Sequence, residues 1–329
     1  MLSRFRALAT AALTEGALLG PGDDTAILRL PPGRVALFTC DMMVEQIHFR
    51  REWATPWQWG WKAMAQNLSD IAAMGGEPGF AVASVALPGE APQGAAEGIS
   101  EGLIAAASRY GASLVGGDLV GSPGPIVIDV SLLGWVEEDL ALRRRGARPG
   151  DRLLVTGALG ASAAGLHALQ HKLRDNDDPA LREALAAHCE PQPRLAAGRA
   201  IACSRAATAM MDLSDGLADD VPRLCAESGV GARLHLAQVP VAEACQSVAA
   251  RLGLDALSLA TSGGEDYELL FTCPPQAVAI VRAAVAEATG LPVAEVGEIT
   301  AEPAIIALDR EDRPVPLRKG FDHFASQGP

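Results

Sequence analysis

Apolar positions alternate along the chain between short runs and longer helical patterns. In the first half, Val35–Thr39 (VALFT) reads as a buried strand ending at Asp41, and Phe80–Leu87 as a strand closed by Pro88-Gly89. Ser113–Val115 reads as a short strand before a turn at Gly116-Gly117, and Ile126–Val136 as a long alternating strand. Between them Pro56–Met74, with Pro in its first turn and Gly75-Gly76 at its end, reads as a helix, as does Pro92–Tyr110. Ser3–Leu18 reads as an amphipathic helix. The second half predicts strands at Arg152–Thr156 and near Ala209–Met211, Ala232–Leu236, Glu268–Thr272, Val293–Val296 and Ile305–Leu308. Helices are predicted at Ala161–Leu173, Ser214–Glu227, Ala242–Leu252 and Gln276–Ala288, with Arg174–Pro179 as a surface loop. The alternation implies an α/β or α+β chain of two domains. The polar, turn-rich run Arg143–Asp151 places their boundary between 146 and 147.

Length agrees with this: 329 residues exceed one ordinary core. The chain is 49% hydrophobic but only 4% aromatic, so its cores must be built mainly from Ala, Val, Leu and Ile. Its 27 basic and 40 acidic residues give a net charge of −13. That balance argues against nucleic acid and anionic membranes as partners, since both need basic patches. It suits a phosphate-handling protein only where metal ions invert the local charge; otherwise it serves solubility. The six cysteines form no CxxC pair and no zinc-spaced cluster, which suggests buried thiols in a reducing compartment. Early arginines followed by an apolar stretch imitate a signal peptide weakly, but Glu15 interrupts it. No apolar run approaches the roughly 20 residues of a membrane span. The expected location is cytoplasmic.

Chemistry is suggested by aspartates at turns and at the ends of apolar runs: Asp23-Asp24 after Gly20-Pro21-Gly22, Asp41, Asp70, Asp118 after Gly116-Gly117, Asp212 and Asp215, and Glu265-Asp266 after Ser262-Gly-Gly. A carboxylate beside an apolar run is costly to bury unless paired or metal-bound. Mg²⁺ takes hard oxygen ligands and keeps waters that bridge to phosphates. Each Asp-Gly pair alone reads equally as a turn or cap, and Ser214 reads equally as the N-cap of the helix after it. The chain has no P-loop, no GxGxxG opening a βαβ unit, no protein-kinase loop signature, no GxSxG and no HExxH. His167 and His171 lie four apart on a helix without an accompanying carboxylate and read as surface residues. Trp53, Trp57, Trp59 and Trp61 read as packing residues.

The motifs together resemble the thiamine-monophosphate kinase family of the aminoimidazole-ribonucleotide-synthetase-like superfamily. GPGDDTAIL (20–28), TCDMMVEQIHF (39–49), KAMAQNLSDIAAMGGEP (62–78), GGD (116–118), RRGARPGD (144–151), MDLSDGLADD (211–220), SGGEDYELLF (262–271) and KGFDHF (319–324) carry the likeness in order along nearly the whole chain. The resemblance implies a two-domain α/β (α+β) fold. The N-terminal domain (1–146) would bind ATP and Mg²⁺ and pair its sheet with a second copy in a homodimer. The C-terminal domain (147–329) would complete the active site. It assigns Asp24, Thr39, Cys40, Asp41, Asp70, Asp118, Asp212 and Asp215 to several Mg²⁺ ions. Gly117, Asp118, Arg144 and Ser214 would contact ATP; His48, Glu265 and Phe321 would contact thiamine monophosphate. The catalytic core would be Asp41, Asp70, Asp212 and Arg144. Two positions depart from the pattern: Cys40 stands where Ser or Thr is usual, and Phe321 where Tyr or Trp also occurs. A thiolate suits softer metals, so Cys40 is harmless only if its carbonyl is the contact.

The implied reaction is direct in-line transfer of the γ-phosphoryl group to a phosphate monoester. Its second pKa near 6 makes that acceptor a nucleophile without a general base. Competing readings are another superfamily enzyme, a metal-dependent phosphohydrolase on the same aspartates, or an acidic metal-binding protein. Among the first, selenophosphate synthetase is disfavoured because no cysteine precedes Cys40.

Overall fold

The computed structural model describes residues 2–21, 25–173, 175 and 177–317. Asp24 and Phe321 lie outside the described residues. The chain divides into two compact units, 1–141 and 142–329. The run after Ala141 belongs to the second unit. Met210 N–H donates to Arg143 O at 2.8 Å, and the Gly146 and Ala147 amides donate to Ser228 Oγ at 3.1 and 3.2 Å.

The first unit contains α1 (Leu2–Ala11), β1 (Ala17–Leu19), β2 (Ile27–Leu28), β3 (Val35–Val44), α2 (Pro56–Ala73), β4 (Glu77–Pro88), α3 (Ala95–Arg109), β5 (Ser113–Ser122) and β6 (Val127–Val136). The strand order of its main sheet is β3-β6-β4-β5, parallel only between β4 and β5. Helix α2 starts at a capping box, in which Thr55 Oγ1 accepts from Gln58 N and the Gln58 side chain accepts from Thr55 N, with Pro56 at the first helical position. Helix α2 covers β3 and β6, and α3 covers β4 and β5. Leu68, Ile71, Ile99, Leu103, Ile128 and Leu132 fill the layer between. The tryptophans pack as expected: Trp59 lies 5.1 Å from Phe49 between ring centroids, and Trp57 stacks on Trp61 at 5.2 Å. The opposite sheet face stays apolar yet open, with Phe38 73%, Met42 53% and Val120 50% exposed.

Three sequence expectations change here. The first helix stops at Ala11, and the chain returns as β1. Thr14 N–H donates to Ser113 Oγ at 2.7 Å, and Gly16 takes a positive φ of 100° that turns the chain. Strand β3 runs on through Asp41 to Val44, every residue paired with β6. Gly116-Gly117 is no turn: β5 continues through both. A Cβ on Gly117 would lie 2.2 Å from Ala83 O, so glycine serves close strand approach there.

The second unit contains β7 (Arg152–Thr156), α4 (Ala161–Gln170), α5 (Pro179–Cys189), α6 (Leu195–Cys203), β8 (Ala209–Asp212), α7 (Leu217–Ser228), β9 (Gly231–His235), α8 (Glu243–Leu252), α9 (Ala256–Ser262), β10 (Leu269–Cys273), α10 (Val278–Thr289), β11 (Val293–Thr300), β12 (Ile305–Leu308) and β13 (Pro314–Val315). The sheet order is β13-β12-β9-β11-β7-β10-β8. Leu153, Val155, Met211, Leu224, Leu270 and Val296 form its core. A second cluster joins α4, α5 and α8 through Ala164, Leu181, Ala184 and Val248. Helices α5, α6 and α9 were not predicted. For α5 the signal was present: Asp178 accepts from Ala180 N at 2.9 Å and Leu181 N at 3.3 Å, ahead of Pro179. All six cysteines are free; Cys189, Cys225, Cys245 and Cys273 are buried, whereas Cys40 and Cys203 are exposed. No helix among the described residues is long and apolar enough to cross a membrane.

Candidate active site

In the first unit, side chains alternate along β3, so Thr39 and Asp41 share one face and Cys40 takes the other. Helix α2 brings Asp70 onto the first face, where Thr39 Oγ1 donates to Asp70 Oδ2. Asp41 is pushed up to about 6, first by burial, then by the like charges of Asp70 and Asp129. A carboxylate raised this way gains most from a nearby cation. The donors are hydroxyl and carboxylate oxygens, which suit Mg²⁺. Among the described residues, no three His, Cys, Asp or Glu side chains close on one point as a finished metal cage. An ion held by one or two carboxylates plus substrate phosphates needs no such cage.

The Cys40 thiol lies 3.3 Å from Asp129 Oδ1, away from Asp41, so its side chain is not part of the oxygen group. Asp129 was not singled out from the sequence. Its signal was an acidic residue inside the mostly apolar strand β6, a position where Asp is disfavoured. Asp118 also stays apart from Asp41. It lies on β5, three strands from β3, or about 14 Å at normal strand spacing. Ser84 is paired with both Asp118 and Asp129, so these two acids share the open sheet face. Gly117 and Asp118 line an open pocket between the sheet and α3, with Ala83, Val85, Ala96 and Leu103. That apolar lining beside a backbone glycine suits a flat heterocycle. His48 follows β3; its Nδ1 accepts from Val44 N at 3.0 Å, and its carbonyl accepts from Lys62 Nζ at 3.3 Å.

In the second unit, the loop after β8 lies beside the segment before β10. Leu213 N–H donates to Glu268 O (2.8 Å), Tyr267 N–H to Leu213 O (3.0 Å) and Glu265 N–H to Ser214 O (2.7 Å). These bonds bring Asp212, Ser214, Asp215 and Glu265 together. Ser214 does not cap α7; Gly216 occupies that position. Asp220, fully buried in the first turn, takes the amides of Asp215 and Gly216 at 3.0 Å each. Arg223 pairs with Asp215 and, at 2.9 Å, with Asp220. Burial pushes Asp220 up to about 6 against those amides and Arg223. Asp266 is pushed up to about 7, again first by burial, although it accepts from Gly160 N at 2.6 Å and Ser162 N at 3.2 Å. Glu268 is raised by burial and held by Arg194 at 2.7 Å and Thr156 Oγ1 at 2.5 Å. Arg144 is exposed, and its carbonyl accepts from Ser228 Oγ at 3.2 Å. His167, read as a surface residue, is half-buried, and burial lowers its pKa.

Two family models match in order: AIR synthase related protein, N-terminal domain, over residues 22–136, and AIR synthase related protein, C-terminal domain, over 148–309. Thiamine-monophosphate kinase of Salmonella typhimurium is 35% identical over 311 residues, spanning 93% of this chain and 92% of the relative. The chain belongs to the thiamine-monophosphate kinase family. Another member, thiamine-monophosphate kinase from Bacillus subtilis, is 32% identical and spans 93% of both chains. The crystal structure of thiamine-monophosphate kinase from Stenotrophomonas maltophilia superposes with a TM-score of 0.83 at 31% identity, covering 93% of this chain and 94% of that one. AaThiL complexed with AMPPCP and TMP superposes at 0.78, also 31% identical, covering 90% and 89%. The hydrogenase maturation protein HypE of E. coli shares the fold at 20% identity and a TM-score of 0.74.

Proposed function

We propose that this thiamine-monophosphate kinase family member transfers the γ-phosphoryl group of ATP to thiamine monophosphate, giving thiamine diphosphate. What carries the reading is the oxygen group Thr39, Asp41 and Asp70, with its raised carboxylate, in a chain that spans 92% of a kinase of that name. A family member complexed with AMPPCP, an ATP analogue, and TMP supports the substrate pair.

Thr39, Asp41, Asp70, Asp118, Asp212 and Asp215 would hold several Mg²⁺ ions, with Asp24 and the Cys40 carbonyl completing the set. Bound there, Mg²⁺ would neutralise the repulsion between two phosphate-bearing substrates. The pocket at Gly117 and Asp118 takes the nucleobase end of ATP. Arg144 and Ser214 steady its triphosphate, Arg144 with a fork of donors matched to phosphate oxygens. His48, Glu265 and Phe321 face the thiamine part, where Glu265 answers its positive charge. No side chain is asked to remove a proton, because the acceptor phosphate is largely dianionic at neutral pH. Catalysis is therefore positioning and charge neutralisation, with transfer direct and in line. The open face carrying Phe38, Met42 and Val120 supports pairing of two copies into a homodimer.

The test is ADP formation with ATP and Mg²⁺, with and without thiamine monophosphate. ADP that depends on all three is expected. ADP released without the acceptor would favour a phosphohydrolase. Turnover only with another acceptor would favour a different superfamily activity.

A further inference from the structure

Helices α4 and α5 approach unusually closely at Gly165, where a Cβ would lie 2.0 Å from Ala184 O and 3.0 Å from His188 Cβ. That approach sets the end of α5 down on the first turn of α4 and buries His188 to 5% exposure. His188 Nδ1 then lies 3.2 Å from Ser162 Oγ and 3.2 Å from Glu265 Oε2. An ionised carboxylate only accepts, so the Glu265 contact needs the proton on Nδ1. With the proton on Nδ1, the Ser162 Oγ at the same distance can only accept a share of it.

The backbone at Glu265 is constrained as well. Its φ of 67° lies in the left-handed region, uncommon for a non-glycine residue and kept only where the surroundings over-determine it. On one side its N–H is bound by Ser214 O at 2.7 Å; on the other, Asp266 is tied to the Gly160 and Ser162 amides. The side chain of Glu265 remains 23% accessible while that of His188 behind it is 6% accessible. A carboxylate held from behind and still partly accessible is placed to receive a cationic or amino-bearing ligand.

We propose that His188 is a positioning residue for the acceptor. Its Nδ1–H fixes the Glu265 carboxylate so that its open side faces the cationic, amino-bearing part of thiamine monophosphate. This deepens the function proposed above and rests on it. In this role His188 acts through Glu265, so its effect falls on acceptor binding and not on ATP binding or on the transfer step.

The test uses the full-length protein and the variants His188→Leu and His188→Asn. Leucine removes the donor; the Asn side-chain amide places an N–H close to where Nδ1–H stood. His188→Leu is expected to raise KM for thiamine monophosphate by about tenfold or more, since a hydrogen bond to a charged group is lost. KM for ATP and kcat at saturating acceptor stay within about threefold, and His188→Asn restores most of the acceptor KM. An unchanged acceptor KM in the leucine variant, equal changes in both KM values, or no recovery with asparagine overturns the proposal. Should the leucine variant lose its melting transition, ¹⁵N-histidine spectra of the unmodified protein decide. The His188 Nδ1 signal should move on adding thiamine monophosphate and not on adding Mg·ATP; an unmoved signal overturns the proposal. An unmodified protein without thiamine monophosphate turnover overturns the underlying function and this role with it. Normal turnover with an indifferent leucine variant overturns the role alone.

Discussion

Asp41 and Asp220 are both carboxylates that burial pushes up to about 6, yet their partners differ. After burial, what acts on Asp41 is like charge, from Asp70 and Asp129. Asp220 also feels the like charge of Asp215, but it is met by donors that Asp41 lacks: the Asp215 and Gly216 amides and the Arg223 guanidinium. The same shift therefore has two meanings. The acids of β3 and α2 are held in mutual repulsion that a cation would relieve, whereas Asp220 braces the loop that carries Ser214 and Asp215. Strain of the first kind is kept for function and costs stability; at Asp220 the hydrogen bonds and Arg223 offset part of the cost of burial and hold the loop.

The sharpest way to break this comparison is substitution at the two sites. Asp41→Asn should lower kcat by about a hundredfold or more, as loss of a group that stabilises developing charge does. Its melting temperature should hold or rise, because a buried charge facing like charges is removed. Asp70→Asn should behave alike. A thermal melt beside steady-state kinetics checks both, and a cooperative unfolding lost with the activity would contradict the division. Asp220→Asn should do the reverse. Its amide nitrogen would face an N–H that the carboxylate now satisfies, costing about 1–3 kcal/mol in urea unfolding.

A separate effect is set by pH. Asp266 has a folded pKa raised from 3.8 to about 7, so the folded state binds its proton more tightly than the unfolded state. Its contribution is present in full at acid pH, declines as pH rises from 3.8 to about 7, and is flat above that. Asp266→Asn should abolish that decline. The difference in melting temperature between the two proteins, followed from pH 4 to 8, reads this directly; a constant difference would contradict it. Smallest of all is Cys40→Ser. With the thiol on the sheet face opposite Asp41, turnover and Mg²⁺ dependence should stay within about twofold, as for surface changes generally. A larger change would return the Cys40 side chain to the metal group.

Much of the molecule was legible beforehand. Helix α2 and strands β4, β6, β7 and β12 lie close to where apolar period and flanking turns put them. The misreadings have specific causes. Asp41 read as a strand end because the apolar run VALFT stops just before it; pairing with β6 carries the backbone past it. Gly116-Gly117 read as a turn because glycine serves both turns and close approach, and only the contact with Ala83 O distinguishes them. Asp178-Pro179 was absorbed into a polar loop although it carries a helix-start signal. At the site, the aspartates stood out because each ends an apolar run or sits beside Gly or Ser. Asp129, His188, Asp220 and Arg223 did not, since each acts through a partner distant in sequence or on a neighbouring turn that no local pattern marks.

The most direct test of the central claim follows the phosphoryl group itself. Purified protein is incubated with Mg²⁺, thiamine monophosphate and ATP labelled in the γ-phosphate, and the products are separated. The account predicts label in thiamine diphosphate, none retained on the protein, and loss of that product in Asp41→Asn. Label in inorganic phosphate whether or not thiamine monophosphate is present would contradict it.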